Sequence, residues 1–284
     1  MKTFPKDILD SKVTVETKDN LPSRDEKKGT QSIDRALDIL TSFNFANPAW
    51  DAAGLSHKLG LALPTVKRIL DALESKGILT KDRKRKEYRV GLKIFELGGV
   101  AYSQISLVNL SNKILLRLRE ETNETVHFGV VLGDELLYIK KLESPDVFDM
   151  TSPVGLRRPL TAGSQGKAIL STYPLPLLEN YLSTHVLEAY TPNSVTDPKI
   201  YIEQLAKVRE QGFAIDREEL FEGICAVASA ITRGDGLAIG GISVAFSAIN
   251  YDETKVLRWA QLVRQAGLSI SRQIFLNGEV EIPR

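Results

Sequence analysis

Near the start of the chain, apolar residues recur at spacings of three and four, which is the period of an amphipathic α-helix. The pattern predicts three short helices, over residues 32–43, 51–60 and 64–77. Asp51 suits the N-cap of the second helix and Gly60 its end, while Pro64 suits the first turn of the third. The apolar positions expected to face a common core are Ile33, Ala36, Leu37, Leu40, Phe43, Ala52, Leu55, Leu59, Val66, Ile69, Leu70 and Leu73.

The second and third helices are separated by a turn of only a few residues, which is typical of a helix-turn-helix unit. Two short β-rich runs, residues 78–80 and 88–91, follow and flank a charged loop, so we expect a wing beside the third helix. The sequence therefore predicts a winged helix-turn-helix domain over residues 29–92. The polar stretch before it, residues 1–28, is predicted to be a flexible tail and has no apolar core of a signal peptide.

Residues 91–121 carry a longer helical pattern that is rich in leucine. We assign residues 93–122 to a helical linker that also contributes to dimerisation. A leucine stripe of this kind packs either against a second copy of the chain or against its own domain, and the sequence leaves both possibilities open.

The rest of the chain alternates β-rich runs with helical stretches. Residues 125–143 and residues 224–246 each read as a β-hairpin, with helices between them and a closing helix from Asp252 to about Phe275. Hairpins with intervening helices indicate an antiparallel sheet covered by helices. The predicted fold class is α+β, with the second domain over residues 123–279.

Composition and charge sharpen the two-domain prediction. A chain of 284 residues with 43% hydrophobic residues is long enough for about two globular domains. The formal net charge of +1 is unevenly distributed, because residues 58–93 carry +7 while the stretches before and after them carry −1 and −5. A basic block inside an otherwise acidic chain is typical of a module that binds a polyanion.

The basic residues fall where a winged helix-turn-helix contacts double-stranded DNA. Thr65, Lys67 and Arg68 lie at the exposed start of the third helix, where side chains can reach base edges in the major groove. Cations of the wing can pair with phosphates on either side of that groove. The predicted wing contacts are Lys81, Arg83, Lys84, Arg85, Lys86 and Arg89.

The remaining sequence offers little catalytic chemistry. The three histidines have no metal-ligand spacing, and a phosphate loop is excluded because Thr161 and Ala168 occupy two of its required positions. Cys225, the single cysteine, lies in an apolar run and is predicted to be a buried structural thiol. We therefore expect no enzyme activity, no metal and no cofactor. A lone cysteine and the lack of a long apolar window suit a cytoplasmic protein without a membrane span.

Three runs in the second domain carry a resemblance to a known family. They are Gly-Lys-Ala-Ile-Leu at 166–170, Gln-Gly-Phe-Ala-Ile-Asp-Arg-Glu-Glu at 211–219 and Gly-Ile-Cys-Ala-Val-Ala at 223–228. In this order, after a winged helix-turn-helix and a helical linker, the chain resembles the IclR family of bacterial transcriptional regulators. The resemblance implies a homodimer or a dimer of dimers, and a C-terminal domain that binds a small organic acid.

The resemblance also implies which residues line the effector pocket: Thr161, Ala162, Gly163, Asp216, Cys225 and Ser243. The chain departs from the family pattern at Ala245, where a second serine is common, and at Leu63-Pro64, where polar residues usually precede the threonine. The first departure weakens the case for glyoxylate-like effectors, and the second shifts DNA affinity toward the wing and Arg68.

The predicted function is that of a sequence-specific transcriptional repressor whose operator binding responds to the effector. Two alternatives remain open at this stage. One is a cysteine-dependent small-molecule enzyme that uses Cys225 with Asp216. The other is an architectural DNA-binding protein whose large domain serves only assembly.

Overall fold

The computed structural model describes residues 30–145 and 152–277, the last of them by its backbone. The chain divides into two compact units, residues 1–99 and 100–284. The predicted tail over residues 1–28 lies outside the described residues. No helix among those described is long and apolar enough to cross a membrane.

The first unit contains three helices and a small antiparallel sheet. In chain order its elements are α1 (Gln31–Thr41), β1 (Ala49–Asp51), α2 (Ala52–Leu59), α3 (Leu63–Ser75), β2 (Leu79–Asp82) and β3 (Glu87–Val90). The strands pair in the order β1-β3-β2, so the wing has a third strand that the sequence pattern does not predict.

The predicted caps of α2 are confirmed. The Asp51 carboxylate accepts a hydrogen bond from the Gly54 backbone N–H at 2.6 Å, which satisfies one of the free amides of the first turn. Gly60 ends the helix in the left-handed region, with φ +64°. Asp51 and Gly60 therefore mark the two ends of α2, and a tight turn leads from Gly60 into α3.

The core of the first unit differs from the prediction on α1. Ile33 and Leu37, predicted to face the core, are 59% and 54% exposed, while Ile39 is fully buried. The stripe of apolar residues on α1 is wider than the side that α2 and α3 cover, so its outer edge stays bare. The buried core consists of Ile39, Leu55, Val66, Ile69, Leu70, Leu79 and Tyr88.

The predicted long helix is two helices, α4 (Leu92–Gln104) and α5 (Ser106–Thr122), with a break at Ile105. None of the α4 residues is buried. On α5, Leu107, Leu115 and Leu118 are buried in the core of the second unit. The apolar residues of α5 therefore pack against their own domain.

The second unit is built on a six-stranded antiparallel sheet in the order β6-β5-β4-β9-β8-β7. The predicted hairpins β4–β5 and β8–β9 are present and are joined by pairing of β4 with β9. Its elements after α5 are β4 (Thr125–Leu132), β5 (Glu135–Leu142), β6 (Arg157–Pro159), α6 (Gly163–Leu170), α7 (Leu175–Thr184), α8 (Pro198–Gln211), β7 (Ala214–Arg217), β8 (Ile224–Thr232), β9 (Ala238–Ser247), a 3-10 turn (Ala248–Asn250) and α9 (Glu253–Asn277).

The two faces of this sheet differ in their side chains and in the helices that cover them. Because side chains alternate along a strand, Phe128, Val227 and Val244 share one face, which α5 and α9 cover with a large apolar core. The other face is covered by α6, and its side chains are smaller and more polar. The α+β class predicted from the hairpin pattern is confirmed.

Candidate functional site

The exposed face of α3 carries the residues predicted to read DNA bases. Lys67 and Arg68 are exposed and Thr65 is half-buried, whereas the neighbouring Val66 and Ile69 face the core. Pro64 lies in the first turn, where its missing N–H loses no helical bond. The start of α3 therefore presents two cations and a hydroxyl on the side away from the core.

The wing presents its cations on a turn held by one acidic residue. The Asp82 carboxylate accepts hydrogen bonds from the backbone N–H groups of Lys84 and Arg85 at 2.9 and 3.1 Å. These bonds hold the pKa of Asp82 below its usual value, so the carboxylate stays ionised. Lys86 takes a left-handed conformation, with φ +59°, that reverses the chain.

Five of the six predicted wing cations are exposed: Arg83, Lys84, Arg85, Lys86 and Arg89. The sixth, Lys81, is half-buried and its ammonium lies 4.8 Å from the centre of the Tyr88 ring. Tyr88 in turn donates from its hydroxyl to the Asp71 carboxylate of α3 at 3.3 Å. This contact ties the wing to the recognition helix, so both present positive charge as one surface.

The second unit contains a cavity of about 50 Å³ on the polar face of its sheet. Residues of five neighbouring strands form its floor: Tyr138, His127, Ser243, Ala226 and Asp216. The start of α6, the segment after β7 and the first residue of β8 close it, through Ala162, Gly163, Ser164, Gln165, Leu220, Phe221 and Ile224. Ser152 and Ala245 complete the lining.

The start of α6 supplies hydrogen-bond donors to this cavity. The first amides of a helix have no partner within it, and the N-cap residue of α6, Ala162, offers no side-chain acceptor. Gly163 has φ +71°, and a Cβ there would lie 3.1 Å from Leu220 and 3.4 Å from the Asp216 carboxylate. Glycine therefore keeps the entrance to the helix terminus open, and such a terminus favours an anion.

Asp216 is the acidic residue of the cavity and is only 4% exposed. One of its oxygens accepts a hydrogen bond from the Glu219 backbone N–H at 2.7 Å. Burial, reinforced by the nearby charge of Glu219, raises the pKa of Asp216 to about 6. Lys167 does not face the cavity, because its ammonium is held by Glu219 at 2.6 Å and by the Ile215 carbonyl.

The structure brings four of the six predicted pocket residues together: Ala162, Gly163, Asp216 and Ser243 line the cavity. Thr161 precedes them but is not among the lining residues, and its hydroxyl lies 3.4 Å from the Val186 carbonyl. Cys225 is elsewhere, on the opposite face of the sheet in the core beneath α9. Burial raises the pKa of its thiol to about 11, so it stays protonated and unreactive.

The sequence reasoning missed His127, Tyr138, Gln165 and Phe221 as lining residues. The spacing of the histidines gives no sign of this role, although a polar residue such as His127 inside an apolar strand is itself a signal of a site. Burial, with the charge of Lys141, lowers its pKa to about 4, so its ring is neutral. The Gln165 side chain bridges β4 and β9 by donating to the His127 carbonyl and the Ser243 hydroxyl.

A basic winged helix-turn-helix joined in one chain to a sheet domain with a small polar cavity defines the class of DNA-binding transcriptional regulators. The family model for the "Bacterial transcriptional regulator IclR C-terminal" domain matches residues 100–272, and the model for the "IclR helix-turn-helix domain" matches residues 32–83. The chain belongs to the IclR family, whose members are transcriptional regulators and not enzymes.

Individual relatives agree with the family match. The chain is 29% identical to the HTH-type transcriptional repressor AllR of Salmonella typhi over 89% of its own length and 93% of that protein. Its fold is similar to that of the Thermotoga maritima IclR crystal structure, with a TM-score of 0.70, 26% identity and coverage of 86% of this chain and 99% of that one. An IclR homolog from Microbacterium hydrocarbonoxydans, complexed with 4-hydroxybenzoate, has the same fold, with a TM-score of 0.71, 22% identity and coverage of 86% and 98%.

Proposed function

We propose that this regulator is a cytoplasmic repressor whose homodimer binds a two-fold operator, and that a small organic acid in the cavity of the second unit changes its DNA affinity. The observation that carries the proposal is the N-terminus of α6, which has no side-chain cap and lines the cavity together with Ser243. Backbone donors at a helix start are what a carboxylate needs when no cation lines the pocket.

The size of the cavity points to a short ligand. A single water needs about 10–15 Å³ on this measure, so about 50 Å³ accepts a molecule of only a few heavy atoms. The apolar residues Leu220, Phe221 and Ile224 close the site around the carbon skeleton. An aromatic acid such as the one bound by the Microbacterium hydrocarbonoxydans protein requires this segment to move outward.

The test of this proposal uses DNA selected by the protein from a randomised pool. Thermal-shift screening against short aliphatic, aromatic and sugar acids identifies ligands, because a ligand that binds only the folded state raises its melting temperature. Operator binding is then measured with and without each ligand. The proposal predicts stabilisation by short aliphatic acids and weaker operator binding in their presence; stabilisation by none of the acids contradicts it.

The bare face of α4 supports the homodimer. Leu92 is 83% exposed, Phe95 is 80% exposed and Leu97 is 53% exposed. All three lie on α4, in which no residue is buried. Several large apolar side chains along one exposed helix mark an association surface. We propose that a second copy of the chain covers them, which places two recognition helices on one operator.

Replacing Leu92 and Phe95 with serine tests the dimer. Because this removes apolar area buried only in the dimer, we expect the double variant to sediment as a monomer in analytical ultracentrifugation and to lose operator affinity at least tenfold. Phe275→Ser is the matched control, since Phe275 is 72% exposed on α9. A double variant that sediments like the wild type and the control rules out this face.

A further inference from the structure

Two residues lining the cavity each contain a buried polar atom without a hydrogen-bond partner, His127 Nε2 and Gln165 Oε1. Both residues are 3% exposed. A buried donor or acceptor left unsatisfied destabilises the folded state, so two such atoms at one site are unfavourable unless a ligand uses them.

The free atom of Gln165 is an acceptor, and its neighbours fix that assignment. Gln165 Nε2 lies 3.1 Å from the His127 carbonyl oxygen and 2.8 Å from the Ser243 hydroxyl. A carbonyl oxygen can only accept, so exchanging the amide nitrogen and oxygen would place two acceptors face to face. The Ser243 hydroxyl accepts from Gln165 and keeps its own hydrogen to donate.

The free atom of His127 belongs to an uncharged ring. A neutral imidazole has one donating and one accepting nitrogen, and it carries no net charge with which to hold an anion. The ring leans against Tyr138, with 5.3 Å between ring centres, which holds it at the cavity. A carboxylate only accepts hydrogen bonds, so it cannot satisfy Gln165 Oε1. A hydroxyl can donate its one hydrogen to Gln165 Oε1 and accept a hydrogen bond from His127 Nε2 in the tautomer that carries the proton there.

We propose that Gln165 and His127 form a hydroxyl-recognising subsite beside the carboxylate-binding start of α6, so that the effector is a short 2-hydroxy acid. The inference rests on the proposed acid-sensing function. Gln165 belongs to the first turn of α6, whose amides hold the carboxylate, so the recognised hydroxyl lies on the carbon next to it. Beside the apolar side chains of Leu220, Phe221 and Ile224, burying a hydroxyl costs less desolvation free energy than burying an ammonium.

Titration calorimetry on the full chain with matched ligand pairs tests the subsite. The pairs are glycolate with acetate, and lactate with propionate, which differ by one hydroxyl; alanine replaces that hydroxyl with an ammonium. We expect each hydroxy acid to bind at least tenfold tighter than its partner and tighter than alanine. Gln165→Met and His127→Phe are expected to bring the ratio within each pair close to one.

Cys225→Ala is the control, because Cys225 lies on the opposite face of the sheet and its loss should leave the ratio unchanged. Equal affinities within each pair, or a preference for alanine, overturn the hydroxyl subsite and leave acid sensing standing. Binding of no acid at all overturns the proposed function itself. If the variants do not fold, the wild-type ratios alone still decide the question.

Discussion

At the scale of single residues, Asp216 is the acidic side chain that would meet the proposed anion in the cavity. Its carboxylate is buried between Glu219, the backbone amides of Glu219 and Leu220, and the Lys167 ion pair, with His127 and Tyr138 across the floor. The resemblance-based prediction placed Asp216 and Ser243 in one pocket, and the structure brings them together there. The same prediction included Cys225, which is wrong. Ala228 of β8 pairs with Ser243, and because Cys225 is three residues away from Ala228 on this strand, its side chain lies on the other face of the sheet.

Asp216 should make the proposed acid binding depend on pH. Its carboxyl titrates near pH 6, because burial disfavours the charged form, whereas a short carboxylic acid stays ionised above about pH 5. Binding the anion favours protonated Asp216, so affinity is greatest below its pKa and falls as pH rises. We expect a loss of up to about tenfold per pH unit between about pH 6 and pH 8, measured by calorimetry.

Asp216→Asn is the control for this pH dependence, since an amide keeps an acceptor for the Glu219 N–H but carries no proton equilibrium in this range. The variant should bind the acid with nearly constant affinity. If wild type and variant lose affinity equally as pH rises, Asp216 is not the group that titrates.

At the scale of elements, the helices were predictable where their ends carry a chemical signal. Helix α2 begins after the N-cap Asp51 and ends at Gly60, and α8 begins after the N-cap Asp197 and ends at Gly212. The edge strands β1, β6 and β7 were missed, because three or four residues are too few for an alternating pattern. The wing was predictable from two short β-rich runs around a charged loop, but the hydrogen bonds to Asp82 and the contact between Tyr88 and α3 depend on the folded structure.

The wing predicts a specific salt dependence. Neutralising Lys84, Arg85 and Lys86 to glutamine removes up to three phosphate contacts, each worth about 0.9 in the slope of log affinity against log salt. We expect the slope to become shallower by about 2–3 in fluorescence anisotropy titrations. Lys113, Lys199 and Lys207, exposed in the second unit, provide a triple variant of equal charge. A slope that changes as much in this control rules out direct wing contacts.

Arg68 of α3 should behave differently from the wing. Because it is exposed at the start of the recognition helix, Arg68→Ala should weaken operator binding by about 1–3 kcal/mol through lost base contacts. Binding to unrelated DNA should change much less. Competition titrations with selected and scrambled DNA measure this ratio, and an equal loss on both would assign Arg68 to the phosphates.

At the scale of the whole molecule, net charges of opposite sign distinguish two parts of the chain. The basic residues 58–93 belong to the unit with the winged helix-turn-helix, and the unit with the cavity lies within residues 94–284, which carry −5. The sequence predicts two domains from charge and periodicity, since both are local properties. It could not predict His127 and Gln165 as a pair, because the fold brings together residues 38 positions apart. An acid regulates DNA binding only if it binds one arrangement of the molecule more tightly than another.

The most direct test of this coupling is operator affinity in a variant whose cavity is filled. Ala245 lines the cavity, so Ala245→Leu occupies it, while Cys225→Ala changes the opposite face. Both variants are first checked for a cooperative melt, because overfilling a site also destabilises. Fluorescence anisotropy then gives the operator Kd with and without the short acid that binds best. We predict at least a fivefold change on adding acid for wild type and Cys225→Ala, and none for Ala245→Leu. An operator Kd that the acid leaves unchanged in the wild type, or shifts equally in Ala245→Leu, would contradict regulation through this cavity.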